Sequence, residues 1–300
     1  MTQAEGAARW IGVDIGGTRV RAVLVRERAG GGGLEPGGTV AERNWAPPGF
    51  RPLPLSEQLA GTPPSPEERG AAEALIRAVA ETVEVAGTDV PAGPLHIALS
   101  SAGPKTPDGR GIACWLNGPR VADLPTSSAA ACSVQARWAE RVLDDTLAGA
   151  LGEIHGAAGG LRGLAEREHA LYLALGTGVA EAWVSGDLVQ PMPFAPAHEL
   201  IDPEAPRGAL EDMSFDARAG LRALGRGSSL DDVWAAAERL TQERRLAFAE
   251  RGAALARVVL GGKGAELFAG RATTLGGVPL VESAQPAAQA LGAVAGLRQL

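Results

Sequence analysis

Twice in this 300-residue chain a strand pattern runs into a glycine turn and leaves it as a second strand. In "IGVDIGGTRVRAVLV" (11–25), Ile11, Val13 and Ile15 alternate as a half-buried strand requires. Gly16 and Gly17 allow a turn that a β-carbon resists, and Val20, Ala22 and Leu24 resume the alternation. "HALYLALGTGVAEAWVSGDLVQ" (169–190) repeats this form around Gly176, Thr177 and Gly178. Asp14 and Thr18 flank the first turn with oxygen groups, and the glycines leave backbone N–H groups uncovered. Such a hairpin can receive a phosphate and its metal ion. A plain tight hairpin satisfies the same pattern.

Helical patterns alternate with these strands. "PEERGAAEALIRAVAETVEVAG" (66–87) is amphipathic, starts behind Ser65-Pro66 with acids in its first turn, and ends at a glycine. "LHIALSSAG" (95–103) is a buried strand, and 133–158 holds a short strand around Val142 and Leu143 followed by an alanine-rich helix. Residues 229–270 give a long helix, the strand "RVVLGG" and another helix, and 285–300 gives a closing helix. Only 29–38 and 46–69 have the glycine and proline content of loops. The class is therefore α/β.

Composition narrows the function classes. A net charge of −7 argues against a broad basic surface for nucleic acid. There is no basic-then-apolar leader and no apolar run long enough for a bilayer. The two cysteines, Cys114 and Cys132, fit free thiols in a reducing cytosol better than a disulfide framework. A cytoplasmic protein without nucleic-acid or membrane partners is expected.

In their order, the motifs resemble those of the ROK family of bacterial sugar kinases and sugar-responsive repressors, over nearly the whole chain. Asp14-Ile15-Gly16-Gly17-Thr18 is similar to that family's first phosphate motif, and Gly176-Thr177-Gly178 to its second. "DDTLAGALGE" (144–153) resembles its catalytic stretch, which places the catalytic aspartate at Asp145 with Asp144 before it. "SSAGPKTPDG" (100–109), with Gly103, resembles the loop after the third strand, and "VVLGGKGAELF" (258–268) the adenosine-side motif with Gly261 and Gly262.

The resemblance implies a two-domain actin-like (ribonuclease H-like) fold with a cleft between the domains. The expected division is 1–118, closed by the helix 285–300, and 119–284. It further implies ATP and Mg²⁺, with Asp14 holding the metal through water, glycine-turn N–H groups on the phosphates, and Asp145 as general base toward a primary hydroxyl. The acceptor would be a small polyhydroxylated molecule, contacted by Gly103, Asp144, His198 and Glu211. A homodimer is the expected assembly.

Departures from the family pattern bear on substrate. Ala195-Pro196-Ala197-His198 stands where the family shows Glu-x-Gly-His, so the histidine remains and the sugar-binding glutamate is gone. "DPEAPRGALEDMSF" (202–215) contains none of the family's zinc-binding cysteines, and no structural zinc is expected. Glu211 follows Gly208 and Leu210 in the pattern of a second sugar-binding glutamate. Ala180, Glu181 and Ala182 follow the second turn where the family has further glycines, and Glu181 is expected to face outward. The implied activity is ATP-dependent phosphorylation of a sugar or of a sugar-like cyclitol. The alternative is a non-catalytic sugar-sensing protein on the same fold. In the family's repressors a DNA-binding domain precedes the first phosphate motif; with Asp14 so near the start, none is expected here.

Overall fold

The structure, a computed structural model, describes residues 9–88, 94–166, 168–205, 213–283, 285 and 287–299. It divides into two compact units. One runs to Ala157 and resumes at Pro286, and the other runs from Ala158 to Gln285.

The first unit is built on β1 (Arg9–Ile15), β2 (Arg19–Glu27), β3 (Leu34–Asn44), β4 (Leu95–Ser101) and β5 (Arg137–Asp144), in the order β3-β2-β1-β4-β5. The first three strands form an antiparallel meander, β4 runs parallel to β1, and β5 runs parallel to β4. Its helices are α1 (Leu55–Leu59), α2 (Pro66–Gly87), α3 (Leu124–Ala131), α4 (Asp145–His155) and the returning α8 (Ala288–Gln299).

Helix α2 starts where the sequence says it should. The Ser65 hydroxyl accepts the Glu68 N–H at 3.1 Å, and Pro66 occupies the first turn, where its missing N–H costs nothing. Its Leu75, Val79 and Val83 share one core with Ile11, Val13 and Ile15 of β1. On the opposite face of β1, α8 lies so close that a β-carbon on Gly12 would stand 1.9 Å from the Ala290 carbonyl oxygen. The same closeness joins α4 to α8, where a β-carbon on Gly292 would meet the Ala148 oxygen at 1.6 Å. The closing helix thus completes the first unit. That unit ends after Ala157 and not after residue 118, because β5 hydrogen-bonds to β4 and α4 packs on α8.

The second unit repeats the plan. Its strands are β6 (His169–Leu175), β7 (Val179–Ser185), β8 (Leu188–Gln190), β9 (Leu255–Gly261), β10 (Thr274–Leu275) and β11 (Val278–Val281), in the order β10-β11-β9-β6-β7-β8. Strands β6, β7 and β8 form the meander, and β9 and β11 add in parallel. The helices are α5 (Phe215–Ala219), a 3₁₀ turn (Leu221–Arg226), α6 (Leu230–Ala249) and α7 (Gly262–Leu267). Ser229 and Asp232 form a reciprocal capping box at the start of α6. Val233, Ala237, Leu240 and Phe248 of that helix pack with Leu171, Leu173, Val258 and Leu260 of the sheet.

The two segments expected as loops carry structure. Within 29–38, Leu34 is buried and begins β3. Within 46–69, Gln58 is buried, and its amide accepts the Trp115 N–H at 2.8 Å while donating to the Trp115 carbonyl at 3.1 Å. Glu68 is likewise buried and holds Arg120, with oxygen–nitrogen distances of 2.8 Å on both carboxylate oxygens.

Candidate active site

Register brings the acidic residues of the first unit together. Asp14 pairs with Ser100 across the parallel β1–β4 ladder, and Ser101 pairs with Asp144 across β4–β5. Asp14, Ser101 and Asp144 therefore sit at the carboxyl ends of three parallel neighbours, where α/β sheets place their ligands. The Ser101 hydroxyl at this edge is buried and has no partner among the described residues.

Asp145 opens α4, and a carboxylate there is the ordinary way to cap a helix. The cap is Asp144 instead: its Oδ1 accepts the N–H groups of Thr146 at 2.9 Å and Leu147 at 3.2 Å. Asp145 receives a long contact from the Thr146 hydroxyl, 3.4 Å, and a weak further interaction from the Thr146 N–H that Asp144 already holds. Burial, followed by the charges of Asp144 and Asp14, pushes the Asp145 carboxyl up to about 7. Burial raises Asp14 to about 6, against the opposing charges of Arg21, its cross-strand partner, and Arg19.

A cation that the sequence reading passed over completes this group. Lys105 Nζ donates to the Ser101 carbonyl at 2.8 Å and to the Gly103 carbonyl. Burial lowers its pKa, while Asp144 and Asp145 hold it up. The only sequence signal for it was a lysine inside the glycine-containing loop after β4. Gly103 has a φ of +82°, and a β-carbon there would stand 2.5 Å from the Cys114 oxygen, so the loop needs this glycine.

Each glycine turn is closed by a hydrogen bond from its first N–H, over four residues in the first and three in the second. Gly16 N–H donates to the Arg19 carbonyl at 2.9 Å, and Gly176 N–H to the Gly178 carbonyl at 3.0 Å. The N–H groups of Gly17, Thr18, Thr177 and Gly178 have no partner among the described residues. The Trp45 indole N–H fixes the first turn by donating to the Gly16 carbonyl at 2.9 Å, and Asn117 lies against Gly17. In the second unit, Gly261 ends β9 beside Ala174 of β6. Gly262, at φ +65°, lies so near the second turn that a β-carbon would be 3.8 Å from the Gly176 nitrogen. Gly176, Thr177, Gly178, Gly261 and Gly262 are thus one surface.

The acceptor-side candidates fare differently. Glu211 lies outside the described residues, as do Gly208 and Leu210. His198 is 66% exposed and stands 3.7 Å from Glu199. Ala195 is exposed as well. Glu181 does not face outward: its carboxylate is buried against Arg244, because the strand face it occupies is covered by α6. The described ends of 202–215 are joined by Asp202 N–H to the Met213 carbonyl, 2.8 Å, and the fully buried Asp202 carboxylate binds Arg239 at 2.6 and 2.7 Å.

These donors suit a hydrated Mg²⁺ ion and a polyphosphate. Among the described residues no three His, Cys, Asp or Glu side chains are placed to enclose a metal. Mg²⁺ asks for less, one or two carboxylates with water and substrate phosphates completing the shell. Two carboxylates raised by burial, Asp145 also by the charges of Asp144 and Asp14, gain from such a cation. The unpartnered turn N–H groups are the donors that phosphate oxygens require.

No family model matches the chain, and no curated protein is similar to it in sequence. Solved structures are similar in fold. An inorganic polyphosphate/ATP-glucomannokinase from an Arthrobacter strain aligns over 97% of this chain and 99% of its own, at 19% identity and a TM-score of 0.68. A ROK family glucokinase from Streptomyces griseus, in complex with glucose and AMPPNP, aligns over 97% and 100%, at 19% identity and TM-score 0.60. A ROK family transcriptional regulator, a homologue of the E. coli MLC protein, aligns over 98% of this chain and 78% of its own, at 14% identity and TM-score 0.54. The chain has the α/β actin-like fold of these proteins, two of which are ROK family members.

Proposed function

We propose that this protein is an ATP-dependent phosphotransferase acting on a primary hydroxyl of a sugar or sugar-like cyclitol, with Asp145 as general base. The observation that carries the reading is the division of labour at the start of α4. Asp144 takes the capping duty, which leaves the Asp145 carboxylate with only weak contacts from Thr146, beside like charges and with its pKa raised to about 7. A general base works best when its pKa lies near the operating pH.

The residues have defined tasks in this reading. Asp145 accepts the proton of the acceptor hydroxyl as that oxygen bonds to the terminal phosphorus of ATP, and the bond to the bridging oxygen breaks to release ADP. Lys105 holds a positive charge near Asp145 and draws its pKa down against the larger upward effect of burial. The N–H groups of Gly17 and Thr18, and of Thr177 and Gly178, receive phosphate oxygens, while Gly261 and Gly262 leave room on the adenosine side. Asp14 would hold Mg²⁺ through water, and the bound ion would supply charge neutralisation at the phosphates. Gly103 and Asp144 border the acceptor, with His198 and Glu211 as further contacts.

The similar glucokinase, whose structure holds glucose and AMPPNP, supports the ATP and sugar parts of this reading. A transcriptional regulator shares the fold, so the fold by itself does not carry the enzymatic reading. Asp145 favours the enzyme, since a sensor has no need of a buried carboxylate near neutrality. The test is acceptor-dependent ADP release with Mg-ATP, screened over hexoses, amino sugars and cyclitols. Release with at least one acceptor is expected. Asp145→Asn should lose roughly 10²–10⁴-fold of it, the usual share of a general base, with the fold and ADP affinity unchanged. Parent-like turnover by that variant would falsify the assignment.

A further inference from the structure

The second glycine turn is not bare. Asp216, in α5, places Oδ1 2.6 Å from the Val179 nitrogen and accepts its N–H. A β-carbon on Gly178 would be only 2.3 Å from the same oxygen. Arg222, in the following 3₁₀ turn, clasps the other Asp216 oxygen with Nη2. The backbone beneath is tied down too: Leu221 N–H donates to the Gly176 carbonyl at 2.8 Å and Arg222 N–H to the Thr177 carbonyl at 3.1 Å. The Arg222 guanidinium therefore stands at the turn whose Thr177 and Gly178 N–H groups are unpartnered. Its Nε is buried and has no partner among the described residues.

An anionic oxygen against a turn N–H, with an arginine on its far side, is the arrangement a phosphate makes in such a turn. Asp216 holds that arrangement within the chain. Its single charge leaves Arg222 with an unused donor and the turn with two unused N–H groups.

We infer that Arg222 is a donor-phosphate ligand of this protein, and that Asp216 is an internal carboxylate competing for it. The inference rests on the nucleotide-binding reading above and adds to it a recognition residue and an antagonist. When a nucleotide phosphate meets the Thr177 and Gly178 N–H groups, the guanidinium shares or exchanges Asp216 for a phosphate oxygen. Arginine suits this because its fork engages oxyanions through two parallel N–H groups.

Titration calorimetry of the full chain with ADP, and separately with adenosine, tests this. Asp216→Asn keeps an oxygen for the Val179 N–H and removes the competing charge, so ADP should bind several-fold tighter while adenosine is unchanged. Arg222→Gln should weaken ADP by roughly tenfold or more, one charge-assisted contact, with adenosine again unchanged. A purely structural arginine would weaken both ligands together. The double variant Asp216→Asn/Arg222→Gln decides between a direct contact and mere neutralisation of Asp216. A direct ligand leaves the double variant well below Asp216→Asn in ADP affinity, whereas ADP affinity equal to that of Asp216→Asn overturns the inference. A parent that binds ADP no better than adenosine overturns it also. Acceptor-dependent ADP release is read separately, so a working kinase with an indifferent Arg222 leaves the proposed function standing and removes this inference alone.

Discussion

Arg244 grips both carboxylate oxygens of Glu181, with Nε and Nη2 each 2.6 Å from their partners. The same Nη2 donates to the Ala195 backbone carbonyl at 2.7 Å. Two positions that depart from the ROK pattern, 181 and 195, are thus joined through one arginine of α6. Only the backbone of Ala195 is used, so the segment leading to His198 is anchored without any contribution from its side chain. The Phe194 ring beside it lies under two guanidinium groups, Arg251 at 4.8 Å and Arg244 at 5.7 Å from the ring centre.

Removing one partner of this pair leaves a buried charge unmatched. With side-chain exposures of 3% for Arg244 and 5% for Glu181, Glu181→Leu should cost roughly 3–5 kcal/mol in urea unfolding. The double variant Glu181→Leu/Arg244→Met should recover much of that loss, because an apolar pair of similar volume needs no mutual charge. A single variant as stable as the parent would show that the pair is solvated.

The raised carboxyls of Asp14 and Asp145 give stability and activity opposite pH trends. Both folded-state values, about 6 and about 7, lie above the ordinary 3.8. The folded state thus binds more protons than the unfolded state between those limits, and stability falls as pH rises from about 4 to about 7. Activity should rise over the upper part of the same range, as Asp145 ionises. Asp144→Asn removes the like charge while asparagine still caps α4, so the acidic limb of kcat/KM should move to lower pH. A limb that stays in place would mean that another group titrates there.

How much of this the sequence discloses follows from the reach of each interaction. The β1–β2 hairpin and α2 are local: alternation, glycines and a serine cap specify them, and α2 spans the expected 66–87. Strand β3 is concealed because it is an edge strand, where Pro36, Gly37 and Gly38 are tolerated and few residues alternate into the core. Gln58, Glu68 and Glu181 look like surface residues until Trp115, Arg120 and Arg244 arrive from 52 to 63 positions away. As a candidate base, Asp145 stands out in the sequence only by its place among ordered motifs. Its freedom from capping depends on which of two adjacent aspartates turns toward the helix, and no spacing rule decides that.

Asp202 offers a test of how 202–215 is held. Its N–H reaches the Met213 carbonyl, which joins the described ends of the segment, and its fully buried carboxylate takes both Arg239 contacts, which tie the first end to α6. Incubation with a strong chelator should leave the melting temperature unchanged, and metal analysis should find no stoichiometric zinc. Asp202→Ala should lower stability by roughly 1–3 kcal/mol, since it removes charge-assisted hydrogen bonds but leaves the half-buried Arg239 within reach of water. Chelator-induced melting would point instead to a metal ligand set that includes the segment 206–212.

The last prediction concerns the acceptor. Ala195 is exposed and contributes only its carbonyl to the packing of its unit. Ala195→Glu should therefore change stability by no more than about 0.5 kcal/mol, as surface substitutions usually do. Its effect belongs in kcat/KM. If the acceptor lacks ring hydroxyls that pair with a carboxylate at 195, the new side chain loses water on acceptor binding without gaining a donor, and turnover of the best acceptor falls. Glucose and mannose carry such hydroxyls, and a site that pairs hydroxyls discriminates strongly in their favour, so their turnover should rise in the same variant. Parent and variant are assayed side by side on hexoses and cyclitols. A parent that already phosphorylates glucose better than every cyclitol tested removes the case for a changed acceptor, and Ala195 is then a neutral replacement beside His198.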